Sequence, residues 1–130
     1  MPYANITVLL IDDNSQVRQT VRHILESWKL NVIEAADGKI GLALFCSHKP
    51  DFVITDIVMP EMDGIETIRK MRAIDPEAKI IAMSGGGDDK YASPLALAKD
   101  LGATAVLEKP FRRLQLRAAV DEVLGGNVSN

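Results

Sequence analysis

One cysteine, Cys46, stands in a chain of 130 residues, so no internal disulfide can form, and the chain reads as a resident of a reducing cytoplasm. No apolar run approaches the roughly 20 residues that a membrane-spanning helix needs. Residues 1–7 carry no positive side chain and are too short for a secretory signal. Positive charge is not in excess either: 15 Lys and Arg against 18 Asp and Glu leave a net charge of −3. That balance argues against direct nucleic-acid binding, which uses a basic face to neutralise phosphates, and a partner with a basic or apolar surface fits better. There is no Cys or His cluster to hold zinc. Internal repeats and low-complexity segments are absent. The one glycine run, Gly85, Gly86 and Gly87, lacks the G-x-G-x-x-G and GK[ST] patterns of nucleotide cradles.

What is present is an ordinary globular composition, 47% apolar and 25% charged, in a length that suits one domain with a real core. Short β-branched and apolar runs alternate with stretches of helical period, the order of βαβ units around a parallel sheet. Candidate strands lie at 7–11, 31–35, 52–55, 79–83 and 105–108, apolar enough to be buried on both faces. Val17, Val21, Ile24, Leu25 and Trp28 recur at helical spacing after Asn14 and Ser15, which can cap. A second helix is predicted over about 38–47 with Ile40, Ala43 and Leu44 inward; Cys46, in the same run, reads as core filler. A third is predicted over about 64–74 with Ile65, Ile68 and Met71 inward, ended by Asp75 and Pro76. The fourth starts with Ser93 as cap and Pro94 at the first helical position, and Gly102 closes it. The fifth spans about 112–124. Its apolar positions Leu114, Leu116, Ala118, Val120, Val123 and Leu124 cover a wide arc, which is either a partner surface or an edge helix with two scattered exposed residues. The domain takes residues 1–124, and 125–130 form a flexible polar tail.

In an open parallel sheet, ligands bind beyond the carboxyl ends of the strands. The informative polar residues sit there: Asp12 and Asp13 after the first strand, Asp56 after the third, Ser84 after the fourth and Lys109 after the fifth. Singly, each has a plain structural explanation as a cap, a turn residue or a solvated charge. Together, three carboxylates within several Å repel one another unless a cation lies between them. Mg2+ fits best, with Mn2+ as the alternative, because it binds through one or two carboxylates and keeps waters that a phosphate oxygen can replace. Phosphoryl transfer needs alignment and charge neutralisation more than covalent help from the protein. Asp56 can be the carboxylate nucleophile, Asp12 and Asp13 the metal holders, Lys109 a point charge on one phosphoryl oxygen and Ser84 a hydroxyl donor to another.

These residues, with the segments 8–14 (VLLIDDN), 35–38 (AADG), 52–64 (FVITDIVMPEMDG), 82–85 (AMSG) and 107–111 (LEKPF), resemble the response-regulator receiver domain of two-component signalling over about residues 5–124. The resemblance implies a flavodoxin-like, doubly wound (βα)5 fold with strand order 2-1-3-4-5 and helices on both faces. It implies that Asp56 is the phosphoacceptor, that Asp13, Asp56 and the Val58 carbonyl ligate Mg2+ directly, and that Asp12 acts through water. It also implies a cis peptide before Pro110; Pro110 could equally just open the fifth helix. The implied function is a switch, not a turnover enzyme: it catalyses only its own phosphorylation and slow autodephosphorylation. Its donor would be a histidine kinase or histidine phosphotransfer protein, since neither His23 nor His48 lies at a strand end. The altered surface would be the fourth helix, fifth strand and fifth helix, which would control a partner or output domain.

The chain departs from that pattern twice. Val106 stands where receivers usually carry Tyr or Phe, so a swinging ring cannot report movement of Ser84. The segment 84–93 opens with three glycines and contains Tyr91; it is either the carrier of the conformational response or simply a flexible surface loop. Among rival functions, a haloacid-dehalogenase-type phosphatase would need an acid two residues after its nucleophile. That position is Val58, which cannot transfer a proton. A pseudo-receiver that lost the chemistry conflicts with the complete set Asp12, Asp13, Asp56, Ser84 and Lys109.

Overall fold

β-branched and apolar runs become strands at β1 (Thr7–Ile11), β2 (Asn31–Ala35), β3 (Phe52–Asp56), β4 (Ile80–Ser84) and β5 (Ala105–Glu108). All pairings are parallel, and the order is β2-β1-β3-β4-β5, as expected. The computed structural model describes residues 3, 5–57, 64–84, 96, 99–100 and 102–125. Among them are four helices, α1 (Ser15–Ser27), α2 (Gly38–His48), α3 (Gly64–Ile74) and α4 (Arg113–Val123), the last being the fifth helix predicted from the sequence. The start of the predicted fourth helix at Ser93 and Pro94, the run Gly85, Gly86 and Gly87, Tyr91, Val58 and the tail beyond residue 125 lie outside the described residues.

The period of two along each strand sorts side chains to opposite faces. Val8, Leu10, Ile54, Ile81, Met83 and Leu107 pack with Val21 and Leu25 of α1 and with Leu116, Val120 and Val123 of α4. Leu9, Ile11, Val53, Ile80 and Ala82 pack on the other face with Phe45 of α2 and Ile65, Ile68 and Met71 of α3. Helices thus cover both faces, a doubly wound sheet. Each fully buried Leu or Ile contributes roughly 1.5–3 kcal/mol, so the three central strands dominate the stability. The edges contribute less. In β2 only Ala35 is buried, and in β5 Glu108 is exposed and Val106 half-buried, so burial on both faces holds for β1, β3 and β4 alone.

Local chemistry sets the helix ends. Asn14 Oδ1 accepts the N–H groups of Gln16 and Val17 at 3.0 and 3.1 Å, so Asn14 is the cap and Ser15 is already helical. Asp37 Oδ1 accepts from Ile40 N–H at 2.8 Å and starts α2. Gly102 has φ +102° and donates its N–H to Lys99 O at 3.0 Å, the left-handed geometry expected of a helix-closing glycine.

In α2 the inward face differs from the prediction. Ile40 is 47% exposed and Ala43 is also exposed, while Gly38, Gly41 and Phe45 face the sheet. The reason is Gly41: a Cβ there would overlap the end of the Ile11 side chain, so the helix approaches β1 through the glycine and turns Ile40 outward. Cys46 turns outward with it and is an exposed free thiol, not core filler. On α4, Leu114 is 81% exposed and Ala118 exposed, while Leu116, Ala119, Val120 and Val123 form the buried stripe. Tyr3, which the periodicity does not single out, is buried against α4; its hydroxyl donates to Asp121 Oδ1 and Arg117 lies 4.9 Å over its ring. Burial, followed by the Asp121 carboxylate, pushes the Tyr3 phenol up to about 12.

Candidate functional site

Parallel register brings the carboxyl ends of the central strands level with one another. Ile11 pairs with both Ala35 and Thr55, Asp56 pairs with Met83, and Ser84 pairs with Glu108. The residues one step beyond or at those ends therefore share a rim. Strand β3 runs one residue further than predicted and includes Asp56, and β4 starts one residue later and includes Ser84. Both side chains are consequently anchored in the ladder and not on loops, which fixes their direction.

Asp12 is fully buried, Asp56 nearly so, and Asp13 is exposed at the mouth. One carboxylate oxygen from each of the three lies within 4.8 Å of the others. Lys109 Nζ bridges two of them, 3.1 Å from Asp12 Oδ2 and 3.2 Å from Asp56 Oδ2. Its backbone N–H donates to Ser84 O at 2.7 Å, and the Lys109–Pro110 peptide is cis, as the resemblance implied. Ser84 is buried at the adjacent strand end. Of the predicted site residues, then, Asp12, Asp13, Asp56 and Lys109 meet directly and Ser84 flanks them.

Burial raises the Asp56 pKa above the usual carboxylate range; Lys109 opposes the rise and the Asp12 charge adds to it. For Lys109, burial works against the ammonium, but Asp56 and Asp12 outweigh it and the pKa is raised. Among the described residues, the pocket is a concentrated negative field in which the Lys109 ammonium is held between two carboxylates. Its donors are hard carboxylate oxygens, which suit Mg2+ and not a thiophilic metal.

Three further residues touch this arrangement, though none of them was expected at the site from the sequence. Asn14 N–H donates to Asp12 Oδ1 at 2.9 Å. Arg18 Nη1 donates to the Asp12 carbonyl at 2.7 Å. Gly64 packs on the Asp56 backbone, where a Cβ would collide with the Asp56 carbonyl oxygen and stand 2.8 Å from its carbon. Gly64→Ala is expected to destabilise by about 2–3 kcal/mol, because backbone, unlike a side-chain tip, cannot step aside. Thermal melts read the loss, and a cation titration should show weaker binding as Asp56 is displaced. The sequence signal for Arg18 was the stripe Arg18, Arg22, Glu26 at spacings of four, which reads equally as a solvated helix face.

Residues 8–121 match the family described as the response regulator receiver domain. This chain belongs to that family. The receiver is 33% identical over 118 residues to the chemotaxis protein CheY of Bacillus subtilis, covering 90% of this chain and 96% of that protein. It is 30% identical over 120 residues to the sporulation initiation phosphotransferase F of the same organism, covering 92% and 94%. With the sensor kinase CckA of Brucella abortus it shares 38% identity over 120 residues, which are 91% of this chain but 12% of that protein. Among solved structures, a receiver domain protein from Clostridium thermocellum superposes with a TM-score of 0.85 at 30% identity, covering 93% of this chain and 95% of that one. A chain of the CheX-CheY-BeF3-Mg+2 complex from Borrelia burgdorferi superposes with a TM-score of 0.84 at 28% identity, covering 93% of this chain and 90% of that one. The receiver is accordingly a module of two-component signalling. No helix among its described residues is long and apolar enough to cross a membrane.

Proposed function

We propose that the receiver is a phosphorylation-operated switch in which Asp56 takes a phosphoryl group from a phosphohistidine of a histidine kinase or histidine phosphotransfer protein. The observation that carries this reading is Lys109 Nζ seated between Asp12 and Asp56 beside the exposed Asp13. An Asp56 carboxylate oxygen attacks phosphorus; the new O–P bond forms as the donor's bond to phosphorus breaks, and the donor leaves with that electron pair. Lys109 lies within reach of the group being transferred and offsets the charge on its oxygens, and Ser84 at the neighbouring strand end supplies a hydroxyl. Asp12, Asp13 and Asp56, with the Val58 carbonyl, would hold a magnesium ion that supplies further neutralisation of the phosphoryl oxygens. The names of the sporulation phosphotransferase and the sensor kinase among its relatives support a phosphorelay donor, and the Mg2+ and BeF3 named with a structural neighbour support the ion and the phosphoryl site. Beside Lys109 an open, largely apolar groove of about 610 Å3, lined by Val17, Val21, Ile24, Pro110 and Phe111, leaves the donor a way in.

The receiver turns over no external substrate on this reading. Val58, two residues beyond Asp56, offers no proton acceptor to activate water, so the acyl phosphate hydrolyses slowly. The added charge and acceptor oxygens favour a rearranged state of β5, α4 and the predicted helix before β5, the surface that controls the downstream partner. Leu114, largely exposed on α4, belongs to that surface.

Incubation with a small acyl-phosphate donor and Mg2+ followed by intact mass measurement tests the reading: one phosphoryl group should add to the wild type. Divalent cation alone gives a second readout. At 100 times its dissociation constant, Mg2+ should raise the unfolding free energy by about 2.7 kcal/mol, an effect reversed by EDTA and reduced in Asp13→Asn. A melting temperature indifferent to Mg2+ would contradict the metal assignment.

A further inference from the structure

The geometry points to Arg18 as a positioning residue for the Asp12–Asp13 segment, oriented by Glu34 of the edge strand β2. The inference deepens the proposed phosphoryl and cation site and rests on it. Arg18 sits one turn into α1, its backbone N–H on Asn14 O at 2.9 Å. From there the guanidinium makes two bonds in different directions: Nη1 to the Asp12 carbonyl at 2.7 Å and Nε to Glu34 Oε1 at 2.9 Å. Glu34 lies opposite Leu10 in the β1–β2 register, just behind the strand end, and also accepts from Arg22.

The Asp12 carbonyl and the Asp13 N–H belong to one planar peptide unit. A bond that fixes the carbonyl fixes that plane, and with it the direction in which Asp13 leaves the backbone. The Asp12 side chain has its own restraints, Asn14 N–H on one oxygen and Lys109 Nζ on the other, and the Asp12 N–H donates to Ala35 O at 3.1 Å. Asp13 is the exposed carboxylate of the three and depends most on its backbone for aim. The Arg18–Glu34 ion pair, with side chains 18% and 24% exposed, does not by itself explain why the guanidinium also reaches a backbone carbonyl next to Asp13. Glu34 has a second role: it balances the guanidinium charge, which would otherwise oppose a cation at the rim.

Charge and positioning predict opposite signs for Arg18→Ala. Removing a positive charge should by itself tighten divalent-cation binding; losing the fixed peptide plane should weaken it. Mn2+ binding, followed by paramagnetic resonance, is expected to weaken by roughly tenfold in Arg18→Ala, the scale of lost outer-sphere support. The melting temperature in EDTA should stay close to wild type. Arg18→Lys, which presents one point donor in place of a fork, should recover part of the affinity. Binding in Arg18→Ala equal to or tighter than wild type overturns the inference, as does weakening that comes only with a matching loss of melting temperature and no recovery in Arg18→Lys. Wild type and Asp13→Asn run alongside: if wild type binds no Mn2+, the site reading fails as well, whereas Mn2+ binding that Asp13→Asn weakens and Arg18→Ala does not leaves the site reading intact and removes this inference alone.

Discussion

Asp56→Asn should abolish phosphoryl uptake and at the same time make the unmodified protein more stable. The first effect follows from the role proposed for Asp56: an amide oxygen carries no charge to attack phosphorus, and no other carboxylate of the cluster is at the end of β3. The mass increment seen with wild type should fall below detection. The second effect follows from the Asp56 pKa, which burial, opposed by Lys109 and reinforced by Asp12, leaves above that of an unfolded chain. Between the unfolded and folded values the native state binds more protons than the unfolded state, so stability declines as pH rises through that window and stays lowered above it. Asn carries none of this penalty. In EDTA the variant should be more stable at neutral pH by on the order of 1 kcal/mol, several degrees in Tm for a domain of this size. The excess should vanish as the pH drops below the carboxylate range, where wild-type Asp56 is itself neutral. Mg2+ should narrow the gap from the other side by stabilising wild type more than the variant. A variant no more stable than wild type at neutral pH in EDTA would show that the pocket accommodates the Asp56 charge without cost.

Strand positions and most helix bounds were legible because the signals are local: five apolar runs, stretches of helical period between them, and polar residues concentrated at the strand ends; the strand order came only from the resemblance to the receiver family. The convergence of Asp12, Asp13, Asp56 and Lys109 was legible for the same reason, since a parallel sheet places all carboxyl ends on one rim. What stayed hidden depends on distance between layers. Ile40, Ala43 and Cys46 fit an inward helical stripe as well as Gly41 and Phe45 do, and only the approach of α2 to Ile11 decides which face turns in. Glycine in a helix reads as a weak position, yet here the absent side chain sets the packing. Gly64 repeats the lesson at the site, where it meets the backbone of Asp56. Arg18 and Glu34 were invisible because their contact pairs α1 with an edge strand, and a charged stripe gives no sign of which end of it turns toward a carbonyl.

Lys109→Met should separate metal affinity from phosphoryl transfer, moving them in opposite directions. The ammonium is bonded to oxygens of two of the three clustered carboxylates, so it repels an incoming divalent ion while holding the apo site together. Methionine keeps much of the length and loses the charge. Cation binding should tighten. Phosphoryl uptake should slow by roughly 10²–10³-fold, the usual consequence of deleting one preorganised charge aimed at the transferring group. Apo stability should drop by about 3 kcal/mol, because Asp12, fully buried, and Asp56 lose their shared counter-ion. The pH dependence carries a sign. Lys109 holds the Asp56 pKa down, so its removal lets that pKa climb further. The instability of the variant should therefore be greatest above the carboxylate range, shrink in acid as Asp56 takes up its proton, and shrink at neutral pH when Mg2+ is added. If Lys109 served only to pack the β5 end, the variant would bind Mg2+ no better than wild type and its instability would be the same at every pH; that pair of results would remove Lys109 from the chemistry.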